Sequence, residues 1–311
     1  MALHQTSGRW RLGLALSLIT VFMWGILPLA LTITLQVLDV YTITWFRFLM
    51  AFGLLALYLT TRQQFPSLQQ LRSASLGLLA IATLFLGGNY LLFLQGLGQT
   101  SPTNAQVLIQ LAPMFLGLGA LVVFKERYTL RQWIGVGILV LGFTLFFHDR
   151  FQVVITSRST YLLGNMIIVL AAVTWAIYAL AQKQLLHKLP STTIMLVIYG
   201  GCAVLFTPLT TPQSLLSLSP LHLSLLLFCG LNTLIAYGAF AEALEHWQAS
   251  RVSAVLALTP LVTLSSVWMA SRFIPRWVAP EQWTGLGLLG AMLVVLGSIA
   301  IALGRRSSHK L

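Results

Sequence analysis

The stretch YLLFLQGLGQTSPTNAQVLIQLAP, residues 90–113, is answered by YGAFAEALEHWQASRVSAVLALTP, residues 237–260. Tyr90, Phe93, Leu97, Leu111 and Pro113 recur as Tyr237, Phe240, Leu244, Leu258 and Pro260, each 147 positions later. Upstream, Gly13, Trp24, Ile26, Leu29 and Ala30 recur as Gly164, Trp175, Ile177, Leu180 and Ala181, at an offset of 151. Downstream, Gln132-Trp133 recurs as Gln282-Trp283, at an offset of 150. One match means little in so apolar a chain. Several registers in the same order, separated only by loop-sized shifts, mark a duplicated unit. The boundary between the copies divides the chain into residues 1–150 and 151–311.

Composition places both copies in a bilayer. With 58% hydrophobic and 8% charged residues, and a mean hydropathy of +0.87, the polar surface is too small to cover a soluble globule. A hydrocarbon core of about 30 Å needs about 20 apolar residues per helix. Windows of that length fall near 12–35, 41–61, 74–95, 102–123, 130–147, 160–182, 192–211, 221–244, 251–271 and 281–304. Their continuous apolarity, without period-two alternation, argues against a β-barrel. The expected fold is an all-α integral membrane protein of ten transmembrane helices. Ser101-Pro102 and Ala279-Pro280-Glu281 read as helix starts, with Ser250 as an N-cap. The first window, preceded by Arg9 and Arg11, is too long for a signal-peptide core and is read as a mature helix.

The cations then set the orientation. With a cytoplasmic N-terminus, 13 of the 18 Lys and Arg residues fall in cytoplasmic loops and tails. Arg150, Arg158, Arg272 and Arg276 fall outside, and Arg47 lies within a span. Both termini are therefore expected in the cytoplasm. Five helices per copy is an odd number, so the two halves should be inverted repeats around a central cavity. The net charge of +12 is scattered singly over loops, a topology signal and not a nucleic-acid surface.

Function must reside in polar groups that lipid penalises. Pro28, Pro113 and Pro260 free the carbonyls of Trp24, Ile109 and Leu256 near mid-span. Freed carbonyls either line a wet cavity or sit in a kink that serves packing. Gln106, Gln110 and Pro113 share one helical face, with Asn104 a turn away, whereas the second copy reads Ser253, Ala257, Pro260. The two amides either orient a ligand or bond a neighbouring helix. Arg47 either meets a substrate carboxylate or snorkels outward; burying it unpaired costs at least ~2.5 kcal/mol. Trp24, Tyr90, Trp175, Tyr178 and Tyr237 lie away from the interfacial belt and can pack a ligand or simply one another, and Asn89 and Asn232 are further buried amides. Gly135, Gly137 and Gly142 in the fifth helix, and Gly285, Gly287, Gly290 and Gly297 in the tenth, suit close packing, so these two helices are read as scaffold and the other eight as ligand-facing.

The six histidines lie in tails, loops or helix ends, and no nucleophile and base are paired at depth, which argues against an intramembrane enzyme. Cys202 and Cys229 fall within apolar helices, so neither a disulfide nor a metal nor any other cofactor is expected. A purely structural membrane protein is the remaining non-transport reading.

Trp24-Gly25, Arg47-Phe48, Asn89-Tyr90, Leu111-Ala112-Pro113 and Lys125-Glu126-Arg127 followed by Gln132-Trp133-Ile134-Gly135 resemble motifs of the drug/metabolite transporter superfamily, EamA-type branch. The resemblance covers about residues 12–304. It implies a ten-helix basket opening alternately to either side. The acidic residue expected after the ninth helix is absent, since that stretch reads Arg272-Phe273-Ile274-Pro275-Arg276. Members export amino acids, aromatic ones included, and other small metabolites.

The expected function is thus export of small organic metabolites across a bacterial inner membrane, as a monomer or a dimer. Arg47 would hold a carboxylate, Gln106 and Gln110 would orient polar groups, and the Trp and Tyr rings would pack the side chain. The alternative is proton-coupled efflux of lipophilic cations or drugs, for which Glu242 and Glu245, near the end of the eighth helix, are the available acids.

Overall fold

A computed structural model describes residues 9–72, 74–123, 129–148, 160–247 and 249–303. Among them every regular element is helical. The first half contains α1 (Trp10–Thr34), α2 (Val40–Thr61), the short α3 (Leu68–Arg72), α4 (Leu76–Gln99), α5 (Pro102–Leu108), α6 (Leu111–Val123) and α7 (Leu130–Phe146). The second contains α8 (Thr160–Leu185), α9 (Ser191–Phe206), two 3-10 turns (Thr207–Leu209, Pro212–Ser217), α10 (Pro220–His246), α11 (Ala249–Leu256), α12 (Thr259–Phe273) and α13 (Gly285–Leu303). A helix bonds its own backbone groups, which is what a lipid environment demands. Eight stretches are long and apolar enough to cross a membrane, counting Arg251–Phe273 as one; α7, with 17 residues, is shorter.

Polar residues start the helices where the sequence supplies them. Asp39 accepts from the Tyr41 and Thr42 amides at the head of α2, and Ser101 caps α5 with Pro102 in its first turn. Thr129 and Gln132 cap α7 reciprocally. The expected start of the last helix near 281 is corrected to Gly285. Glu281 instead accepts from the Thr103 amide at 3.4 Å and the Trp283 indole at 3.1 Å, and the Thr284 hydroxyl accepts from the Gly287 amide at 3.1 Å. Ser250 lies among the residues whose side chains are not described, and Lys125-Glu126-Arg127 lie outside the described residues.

Two windows expected as continuous helices are broken. Residues 109–110 separate α5 from α6, and residues 257–258 separate α11 from α12. The prolines lie just beyond the breaks, and the carbonyls they free are taken locally. Ile109 O accepts from the Ala112 amide at 2.9 Å, and Leu256 O accepts from the Thr259 hydroxyl. At Pro28, by contrast, α1 runs on unbroken. The Asn232 amide donates to Met23 O at 2.6 Å and the Thr263 hydroxyl to Gly25 O at 2.7 Å, one residue to either side of Trp24.

The main helix pairs are α1 with α10, α4 with α8, α2 with α9 and α7 with α13. Exchanging each helix for its sequence counterpart turns the first pair into the second and each of the others into itself. The α7–α13 pair is the tightest. A Cβ on Gly142 would lie 2.6 Å from the Val294 nitrogen, and one on Gly297 would lie 2.6 Å from the Leu139 nitrogen, so the two backbones meet without side chains between them. Gly135 facing Gly297 and Gly142 facing Gly290 also make the pair antiparallel.

Candidate functional site

A cavity of about 320 Å³ lies between the halves. It extends from mid-helix, at Arg47 and Asn89, to Gln132 in the first turn of α7 and Ala302 in the last turn of α13. At the other end of the molecule, hydrogen bonds join separate elements. Asp39 accepts from the hydroxyls of Thr42 at 2.6 Å and Thr211 at 3.2 Å, while Gln36 donates to Trp277 O at 3.0 Å. Asp39 stands outside the spans. Partial burial pushes its carboxyl up, but the bonds from Thr42, Thr211 and Tyr41 outweigh this and hold it below its ordinary value.

Many lining residues come as sequence counterparts. Trp24 and Trp175, Tyr90 and Tyr237, Phe93 and Phe240, Gln106 and Ser253, and Gln110 and Ala257 all border the cavity. Some counterparts touch each other. The Tyr90 and Tyr237 rings stack with centroids 6.5 Å apart, and the Gln110 amide donates to Ala257 O at 3.2 Å. Asn89 donates to Ala171 O at 2.8 Å; at the counterpart positions the Thr20 hydroxyl donates to Ala236 O at 3.3 Å, so the donor has changed sides. The cavity therefore lies between stretches that match one another in sequence.

Arg47 breaks this pattern. Its counterpart Ile198 is fully buried and does not reach the cavity, whereas Arg47 borders it with only 4% of its surface exposed. Nε donates to the Thr233 hydroxyl at 3.1 Å, and Cζ sits 4.4 Å from the centre of the Tyr90 ring. A desolvated cation over an aromatic face gains up to about 2 kcal/mol, close to the penalty for its burial. The terminal guanidinium nitrogens make no hydrogen bond to a described residue, and no described carboxylate pairs with them. Gln106, 7% exposed, likewise has no hydrogen bond to a described residue. Three uncommitted polar groups, from Arg47, Gln106 and the Gln110 carbonyl oxygen, thus converge on aromatic walls. They can orient a small ligand and neutralise an anionic group on it.

Of the nine expected binding residues, Trp24, Arg47, Asn89, Tyr90, Gln106, Gln110, Trp175 and Tyr237 line this cavity. Tyr178 is placed elsewhere: its hydroxyl lies 3.5 Å from Met195 Sδ, packed against α9. Pro28 and Pro113 line the cavity, and Pro260 does not. Glu242 is 59% exposed and 3.8 Å from His246; the Glu245 side chain lies outside the described residues. The division into ligand-facing and scaffold helices is corrected in two places. α9 contributes nothing to the lining, while Gln132 on α7 and Ser298, Ile301 and Ala302 on α13 do. Phe93 and Phe240 were legible as repeat markers, but no pattern singled out Ser298.

The EamA-like transporter family model matches residues 11–148 and 162–303. An inner membrane transporter of Escherichia coli K12, YhbE, described as uncharacterized, is 39% identical over 95% of this chain and 92% of its own. A transporter of Haemophilus influenzae, also described as uncharacterized, is 37% identical over 95% and 96%. A probable amino-acid metabolite efflux pump of E. coli K12 is 23% identical over 94% and 95%. One crystal structure superposes with a TM-score of 0.65 at 17% identity, covering 95% of this chain and 99% of that one, a likeness of fold. The chain belongs to the EamA-like transporter family and is a multi-pass membrane transporter, not an enzyme.

Proposed function

We propose that the chain exports small organic metabolites bearing a carboxylate, amino acids foremost, by alternating access of the cavity between its halves. The halves, residues 1–150 and 151–311, are two inverted five-helix repeats giving ten spans, with both termini cytoplasmic in a bacterial inner membrane. The exchange pattern of helix pairs, the two stretches that match the family model and the thirteen-to-four bias of cations support this topology. The cavity reaches the end where Arg131 and α7 begin, the cytoplasmic end in this orientation, as loading for export requires.

The carrying observation is Arg47, buried at the cavity wall with its terminal nitrogens uncommitted. A carboxylate completes it with charge-assisted bonds. The aromatic rings of Trp24, Trp175, Tyr90 and Tyr237 supply apolar walls, and about 320 Å³ falls in the range of small-molecule sites. The name of the E. coli efflux pump points to the same substrate class. Cation efflux finds no support, because the cavity holds a cation and the described acid Glu242 is exposed at a helix end. The test is transport of an amino-acid panel by proteoliposomes. Arg47→Ala is expected to abolish uptake of most carboxylates, and Trp175→Ala to change substrate preference. Unchanged uptake and preference in both variants would refute the assignment.

A further inference from the structure

Ser298 lines the cavity from α13, and its hydroxyl behaves unlike most helical hydroxyls of this chain. Ser17, Thr34, Thr83 and Ser266 each donate to the carbonyl four residues earlier. That is the usual way a helix in lipid satisfies a hydroxyl. Ser298 is 6% exposed, and its Oγ has no hydrogen-bond partner among the described residues.

Gln132 borders the same end of the cavity from α7. Because Gly135 packs between Gly297 and Ile301, Gln132 lies roughly one turn nearer the end of the molecule than that contact. Its carbonyl oxygen is fixed, accepting from the Thr129 amide at 2.9 Å and the Thr129 hydroxyl at 3.2 Å. Only its NH₂ donors remain, and they meet no described acceptor. The surrounding wall is apolar: Leu116, Phe240, Ile301 and Ala302. Arg47 lies on another wall, on α2, which packs chiefly against α9 and α10, while α13 packs chiefly against α7 and α11.

Two donors without a described acceptor, one on a side chain locked by a capping box and the other on a helical hydroxyl that does not bond its own turn, call for an oxygen from outside the protein. We infer that Ser298 and Gln132 form a second polar subsite that selects substrates bearing a hydroxyl or carbonyl oxygen at the end remote from their carboxylate. This rests on the carboxylate-export reading above and sharpens its substrate class. A subsite built to hydrogen-bond an oxygen discriminates strongly against the analogue that lacks it, because its own groups are then left unpaired.

The experiment uses the full chain in proteoliposomes with two matched pairs, tyrosine against phenylalanine and glutamine against norvaline. The wild type is expected to favour the oxygen-bearing member of each pair by roughly tenfold or more in kcat/KM. Ser298→Ala should bring the ratio to within about twofold, Ser298→Thr should keep it, and Gln132→Glu, which retains the capping oxygen but loses the donors, should lower it. If all four compounds are transported in an Arg47-dependent manner with wild-type ratios near one, or if Ser298→Ala leaves the ratios unchanged, the subsite is refuted while carboxylate export stands. If none is transported, or transport ignores Arg47→Ala, the export reading fails and the subsite falls with it.

Discussion

The two broken helices, α5–α6 and α11–α12, share a backbone plan and differ in chemistry. At counterpart positions Ile109 O accepts from the Ala112 amide, and Leu256 O from the Thr259 hydroxyl. The first break presents Gln106 and Gln110 to the cavity, the second Ser253 and Ala257. The same division recurs elsewhere: Arg47 faces the cavity where Ile198 is core, and Asp39 caps α2 where Pro190, its counterpart, gives α9 no side-chain cap. In the proposed reading, duplication builds the frame, and divergence between the copies makes a site for a ligand with two unlike ends.

The comparison breaks most completely if the shared frame is damaged. Gly142→Leu forces a Cβ into the α13 backbone and should cost more than about 3 kcal/mol, seen as loss of a monodisperse folded peak in detergent. Gly137→Ala on the same helix meets nothing within 4 Å and should be neutral or slightly stabilising. Giving the first half the second half's residue is the next largest effect. Arg47→Ile should lower transport of carboxylates about 100-fold, whereas Ile198→Val should cost about 1 kcal/mol of stability and leave transport within twofold. Gln110→Ala removes the bond to Ala257 O and should weaken substrate binding about tenfold, with a smaller change for Ser253→Ala.

The smallest effect concerns the end of the molecule at Asp39. Since the Asp39 carboxyl is held below its ordinary value of 3.8, its stabilisation is complete above the unfolded carboxylate range and is lost as pH falls through the lowered value. The Tm advantage of wild type over Asp39→Asn should therefore be a degree or so at neutral pH and fade as the pH falls through the lowered value. A difference that stays constant from neutral pH until the carboxyl is fully protonated would show that the cap does not act through its charge.

Much of the helical fold was legible because lipid leaves few options: apolar runs of sufficient length become helices. The breaks were only half legible. A proline shows which carbonyl is freed, but whether the helix kinks or stops depends on the neighbouring acceptors and donors. Asn232 and Thr263 flank the Pro28 site from other helices, and α1 stays whole. Aromatic rings at depth look alike in sequence, so nothing there separates Tyr178 from the cavity residues; the turn of α8 aims it at Met195 on α9. The glycines of α7 and α13 marked where the two helices meet, but not that Gln132 and Ser298 beside that contact reach the cavity.

The central claim is that the breaks in symmetry, and not the symmetric frame, carry the substrate. It is tested most directly by the doubly symmetrised variant Arg47→Ile, Gln110→Ala, assayed for amino-acid transport in proteoliposomes alongside its Tm. The account predicts a folded protein, with a Tm within a few degrees of wild type, and transport at background. Transport near the wild-type rate in that variant would contradict it.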